Sequence, residues 1–218
     1  MLKKKFKNSN RNYFSCISNY DNYIIDISNN INTSTNTHRT ICKCKQSKIG
    51  NKEKSNCRMV RIKVIRRANE KDIPRLMELL EQVLQIHADI RPDIFIPGTT
   101  KYTEDELKEM LKDDTKPVYV AADENDVCLG YAFCQLKQQP FSNNMVPFTS
   151  LFIDDLCVDA KTRGQHVGES LFEYVKGEAK RLGCYEVTLN VWAGNTSAEK
   201  FYEKMGLKTK ERQMEYIL

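Results

Sequence analysis

The stretch from Leu151 to Gly168, LFIDDLCVDAKTRGQHVG, constrains this chain more than any other part of it. An apolar run of Leu151, Phe152 and Ile153, resumed by Leu156, Cys157 and Val158, has the length and side chains of a buried strand. Two carboxylates, Asp154 and Asp155, interrupt it. A short polar turn with Arg163, Gly164 and Gly168 follows, and an amphipathic helix begins, apolar at Val167, Leu171, Phe172, Val175, Ala179 and Leu182. A strand, a glycine-bearing turn and a helix start together make an anion site, because free backbone N–H groups and the helix dipole point at whatever sits over the turn. A ligand bearing phosphate is the natural occupant.

Charge divides the chain sharply. Residues 1–58 carry a net charge of +9 and residues 59–218 a net −4, so the overall +5 describes neither part. The first segment is rich in Asn, Ser, Thr and Lys and has no sustained apolar period; it is expected to be a disordered extension, with a transit segment the alternative, and Met59, directly before the first apolar run, is a candidate true start. Its basic charge alone is no argument for nucleic acid. No apolar run reaches the roughly 20 residues of a membrane span. Cys42 and Cys44 with His38 match no common zinc spacing, so no metal is expected. Cys128, Cys134, Cys157 and Cys184 sit in or beside strand-like runs and read as small buried hydrophobes in a reducing, cytoplasmic setting.

The second segment, 59–218, alternates strands and helices. Arg61 to Arg67 reads as a first strand. Asn69 to Pro74 opens a helix with Ile73, Leu76, Leu79, Leu80, Val83, Leu84 and His87 on one face, which makes His87 a packing or capping residue rather than a catalytic one. Arg91-Pro92 ends it. Thr103 to Glu106 is a capping box for a second, short helix, and the loop between the two helices is a candidate wall for a substrate pocket. Pro117 to Ala122 and Val127 to Gln135 are strands joined by an acidic hairpin turn, and Gln138 to Thr149 is a polar loop. After the central strand and helix, Gly183 stops the helix, and Tyr185 to Trp192 alternates as a half-buried strand. Asn195 caps a last helix carrying Ala198, Phe201, Tyr202 and Met205, and Lys208 to Leu218 reads as a final strand. The order is β α α β β β α β α β, an α/β or α+β arrangement in three layers.

These residues resemble the GNAT superfamily of acyl-CoA-dependent N-acyltransferases, over the whole of residues 60–218. Arg163-Gly-Gln-His-Val-Gly168 is similar to the family's pyrophosphate loop, and Asn195, Ala198, Phe201-Tyr202 and Gly206 to its closing motif. The resemblance implies a mixed, mostly antiparallel central sheet with about four helices, and acetyl-CoA as co-substrate. It places the diphosphate on Arg163, Gly164, Gln165, His166, Val167, Gly168 and Glu169, the pantetheine arm along the backbone of Leu156, Cys157 and Val158, and a cofactor contact at Asn195. His166 stands where the family has its first loop glycine, so its side chain either crowds the pyrophosphate or turns outward.

The same resemblance gives Tyr202 the role of acid for the leaving thiolate, and puts Asp154 and Asp155 where the polyamine-acetylating branch carries two adjacent acids. Regular alternation sends the two carboxylates to opposite faces of the sheet, so they cannot share one task, and the sequence does not choose between them. The leading reading is acetyl transfer to the primary amine of a small, cationic molecule. Acetylation of a protein N-terminus or lysine is the alternative within the same chemistry, and a non-catalytic acyl-CoA-binding module the alternative outside it. The final strands of such folds also offer a homodimer contact.

Overall fold

The computed structural model describes residues 61–218, Phe141 apart. The expectations for residues 1–58, with Met59 and the Cys42–Cys44 pair, lie outside the described residues.

Five strands form one sheet in the order β1-β2-β3-β4-β5: Val64–Arg67, Val118–Ala122, Cys128–Gln138, Thr149–Val158 and Glu186–Leu189. Successive neighbours are antiparallel except β4 and β5, which are parallel. Helices α1 (Ile73–Ile90) and α2 (Glu104–Leu111) cover one face; α3 (Val167–Arg181) and α4 (Thr196–Lys204) lie on the other. The architecture is the expected three-layer, mostly antiparallel α/β fold with four helices.

Each layer follows from local sequence. Asn69 and Asp72 cap each other's backbone in a short turn ahead of α1, and Asp72 is buried against the Arg66 guanidinium at 2.7 Å. The apolar stripe of α1 then puts Leu76, Leu79 and Leu80 against Val118, Val120, Tyr131, Phe133 and Cys157. Thr103 and Glu106 form the capping box that starts α2, whose Leu107 joins the same core. On the opposite face Phe172, Val175 and Ala179 of α3 meet Tyr119, Ala132, Cys134, Leu151 and Ile153. Full burial of one such Leu or Phe side chain stabilises the fold by about 1.5–3 kcal/mol. A Cβ on Gly130 would lie 2.7 Å from the Cys157 carbonyl oxygen, so β3 and β4 approach closely only because position 130 has no side chain.

The structure corrects three boundaries. The first strand is confined to Val64–Arg67, the β5 strand to Glu186–Leu189, and Lys208–Leu218 forms no strand. That tail is exposed throughout and dense in Lys, Arg and Glu; side-chain ion pairs tether it, Lys210 to Glu186 and Arg91 to Glu215, in place of a ladder. With only four residues, β5 offers a short edge for any further strand to join.

Candidate active site

The site is built by an irregularity in β4. Phe133 of β3 stands opposite Asp155, but the next residue, Cys134, stands opposite Ile153, so Asp154 is an extra residue in a β-bulge. Ile153 packs in the α3-side core and Cys157 in the α1-side core. Asp154 and Asp155 receive their hydrogen bonds from Tyr102 and Tyr131, both packed in the α1-side core. The expectation that the two acids face opposite ways is therefore wrong: alternation holds in a regular strand, and the bulge resets it between these two residues.

The two carboxyls have opposite electrostatic surroundings. Asp154 accepts from the Tyr102 hydroxyl at 2.8 Å and from the Lys101 ammonium at 2.6 Å. Burial works to raise its pKa, but those two donors outweigh it and hold the group below its usual value. Asp155 is pushed up to about 6, chiefly by burial, although Lys101, the Tyr131 hydroxyl at 3.0 Å and the Leu156 N–H all favour its charged form. Phe133 spaces the two phenols, stacked on Tyr102 at 5.5 Å and edge-on to Tyr131 at 4.8 Å. Burial raises both phenols well above the ordinary tyrosine value, so both remain hydrogen-bond donors.

The bulge also marks the end of the β4–β5 ladder. Pairing covers Ser150–Ile153 with Glu186–Leu189 and goes no further, which among the described residues leaves Asp154 to Val158 without a strand on that side. Of this open edge, the Val158 carbonyl accepts from Arg163 Nε at 3.2 Å and the Leu156 N–H reaches Asp155. Cys157 turns inward, its thiol donating to the Leu79 carbonyl at 3.5 Å; burial pushes it up to about 12, so it is a neutral core group and no nucleophile.

Beyond the edge lies the loop leading into α3. Gly164 has φ +77° and His166 φ +63°, both left-handed, and no side chain caps the helix start at Val167. His166 thus adopts the backbone conformation that favours glycine, at a cost of about 1 kcal/mol for a residue with a Cβ. Its exposed ring turns to Glu169, 2.9 Å away, which also accepts from Lys204 of α4. Gly168 packs close to α4 and β4: a Cβ there would meet Phe201 and Val158 at 3.4 Å. The Gln165 N–H donates to the Thr162 carbonyl and closes the turn.

At the α3–α4 side, Asn195 spends its side chain on the Ala198 N–H as the helix cap. Tyr202 packs edge-on to Phe172 and Phe201, with centroids at 6.3 and 5.1 Å. Burial, then the negative charge of Asp155, raises its pKa far above normal, so the phenol is protonated at neutral pH. His87 lies 5.2 Å from Phe95 and is lowered by burial and by Lys101, in keeping with a packing residue.

Three polar residues of the site escaped the sequence reading. Lys101 and Tyr102 lie just before the Thr103 capping box, in a loop without period. Tyr131 has a legible signal, since it shares one face of β3 with Phe133, but nothing local ties it to Asp155.

Comparison with known proteins supports this fold and its family. The acetyltransferase (GNAT) family matches residues 80–207, more than half of the chain. The chain belongs to the GNAT acetyltransferase family. It is 37% identical over 62 residues to glucosamine 6-phosphate N-acetyltransferase of Arabidopsis thaliana, 28% of this chain and 40% of that protein. The enzyme of the same name from Trypanosoma brucei brucei is 38% identical over 65 residues, with the same coverage of each chain. The match thus spans two fifths of the length of these curated relatives. A crystal structure of a mutant BH1408 protein from Bacillus halodurans superposes with a TM-score of 0.68 at 28% identity, over 71% of this chain and 99% of that one.

Proposed function

We propose that this protein transfers the acetyl group of acetyl-CoA to the primary amine of a small molecule by direct attack. The observation that carries this reading is the bulge at Asp154, which brings two carboxyls of unequal acidity to one face of β4, beside an open strand edge. Such a pair suits divided roles. Asp154, held ionised by Lys101 and Tyr102, attracts a cationic acceptor. Asp155, with a pKa of about 6, accepts the ammonium proton at its carboxylate near neutral pH. Tyr202, neutral and partly buried, donates a proton to the leaving thiolate.

The loop residues suit a diphosphate. The uncapped N–H groups of Val167, Gly168 and Glu169 begin a helix whose dipole favours an anion. Gly164 adds a left-handed turn, and the His166 ring stands away toward Glu169. Arg163 would join these loop residues on the diphosphate, and the edge from Leu156 to Val158 would hold the pantetheine arm, with the Arg163–Val158 contact opening to admit it. Acetyl-CoA supplies the activated acyl thioester. Asn195 serves this site through the helix it caps, which carries Tyr202. The Arabidopsis and trypanosome relatives are named for an amino sugar phosphate, which supports a small acceptor.

The test is release of free thiol from acetyl-CoA by the full chain across a panel of polyamines, amino sugars and their phosphates, with Tyr202→Phe as control. Turnover on a small amine that collapses in the control supports the reading. Binding of acetyl-CoA with turnover only on peptides would overturn it.

A further inference from the structure

The seat that the proposed function gives to the acceptor amine already holds an amine. Lys101 places its ammonium 2.6 Å from an Asp154 carboxylate oxygen and 5.4 Å from the Tyr102 ring centroid. It is also near enough to act on Asp155. An ammonium held between a carboxylate and an aromatic face, beside a carboxyl able to take its proton, is the arrangement expected of a bound primary amine substrate. The lysine reaches this place from the loop between α1 and α2, and its side chain is 43% exposed, so water has access to it and no core packing fixes it there.

Resting on the function proposed above, we infer that Lys101 is a self-acetylation site: with no other amine present, its Nζ takes the acetyl group from acetyl-CoA bound in the same chain. In that step a proton leaves the ammonium for the Asp155 carboxylate and an N–C bond forms between Nζ and the acetyl carbon. The C–S bond then breaks, the departing thiolate takes the phenolic proton of Tyr202, and the second proton shed by the attacking nitrogen returns through water to the phenolate, while Asp155 gives its proton to solvent. The products are an amide at Lys101 and free CoA. The modified side chain has lost its charge and releases Asp154. An external amine competes with Lys101 for one seat, so acceptor and modification exclude each other.

The experiment incubates the full chain with acetyl-CoA alone and locates acetyl groups by peptide mass spectrometry over time. The expected result is first-order acetylation at Lys101, with a rate independent of enzyme concentration and well ahead of Lys108 on neighbouring α2 and Lys112 just past its end. Excess acceptor amine slows it. Asp155→Asn slows it on the order of 100-fold, with calorimetric binding of CoA as the readout that this variant remains folded. Lys101→Arg keeps the cation and leaves that peptide unmodified. Amine turnover with Lys101 acetylated no faster than Lys108 overturns the inference and leaves the proposed function standing. Failure of both Lys101 and every amine to be acetylated overturns the two together.

Discussion

Tyr131 and Asp155 face each other diagonally across β3 and β4, the phenol donating to the carboxyl at 3.0 Å. Burial drives this carboxyl toward its neutral form and the phenol pulls it back. The balance leaves it near pH 6, where a base for amine chemistry is useful.

The first prediction concerns that balance. With saturating acceptor, kcat rises through about pH 6 as Asp155 ionises. Tyr131→Phe removes a donor to the ionised form, so the limb moves to higher pH. Asp155→Asn abolishes the limb. A pH–rate profile of the three proteins decides it; a limb unchanged in Asp155→Asn assigns the base elsewhere.

The same group bears on stability. Its carboxyl titrates near 3.8 in the unfolded chain and near 6 in the folded one. Between those values the folded state binds more protons, so the group's contribution to stability falls as pH rises from about 4 to about 6 and is flat above. Asp155→Asn, neutral throughout, should raise Tm above pH 6 and change it little below pH 4. Thermal melts across that range test the sign.

Tyr202→Phe should lower kcat on the order of 100-fold, the typical share of a positioned acid. KM for acetyl-CoA should move little, because the ring and its contacts with Phe172 and Phe201 stay in place. Steady-state kinetics separates the two parameters. A change confined to KM would make Tyr202 a binding residue.

Gly130→Ala drives a Cβ into the Cys157 carbonyl. Backbone cannot swing aside as a side chain does, so the strands must part, at a cost of about 1–3 kcal/mol. The displacement falls on the strand that carries both acids. Denaturant unfolding measures the loss, and a stable variant would mean that β4 shifts freely.

His166→Gly examines the loop. The backbone there is already in the left-handed region and the ring is turned away. The substitution should leave stability within about 1 kcal/mol and Kd for CoA within about threefold, under 1 kcal/mol of binding energy. Calorimetric titration would expose any larger role of the imidazole.

Much of this was legible in sequence because it is local. Thr103 with Glu106, Asn195 with Ala198, and the stripe of Leu76, Leu79 and Leu80 each carry their signal within a few residues, and each forms as expected. The disposition of Asp154 and Asp155 was not legible, because a bulge is a property of two strands in register and alternation is counted along one. Lys101 and Tyr102 were hidden for a related reason: only the three-dimensional path of the α1–α2 loop carries them to β4. The tail misled because Met214, Tyr216, Ile217 and Leu218 have strand-like side chains, yet all four remain exposed and unladdered.

The β4–β5 ladder stops at Ile153, and the strand runs on unpaired on that side. Among the described residues, no strand completes the sheet there. On the function proposed above, a donor molecule laid along Leu156 to Val158 would act as a missing strand, and a ligand that binds only the folded form raises the folded population as its concentration exceeds Kd. On that same function, supply of the acyl donor would then set the stability of the protein as well as its turnover, since the chain without it keeps that strand edge bare.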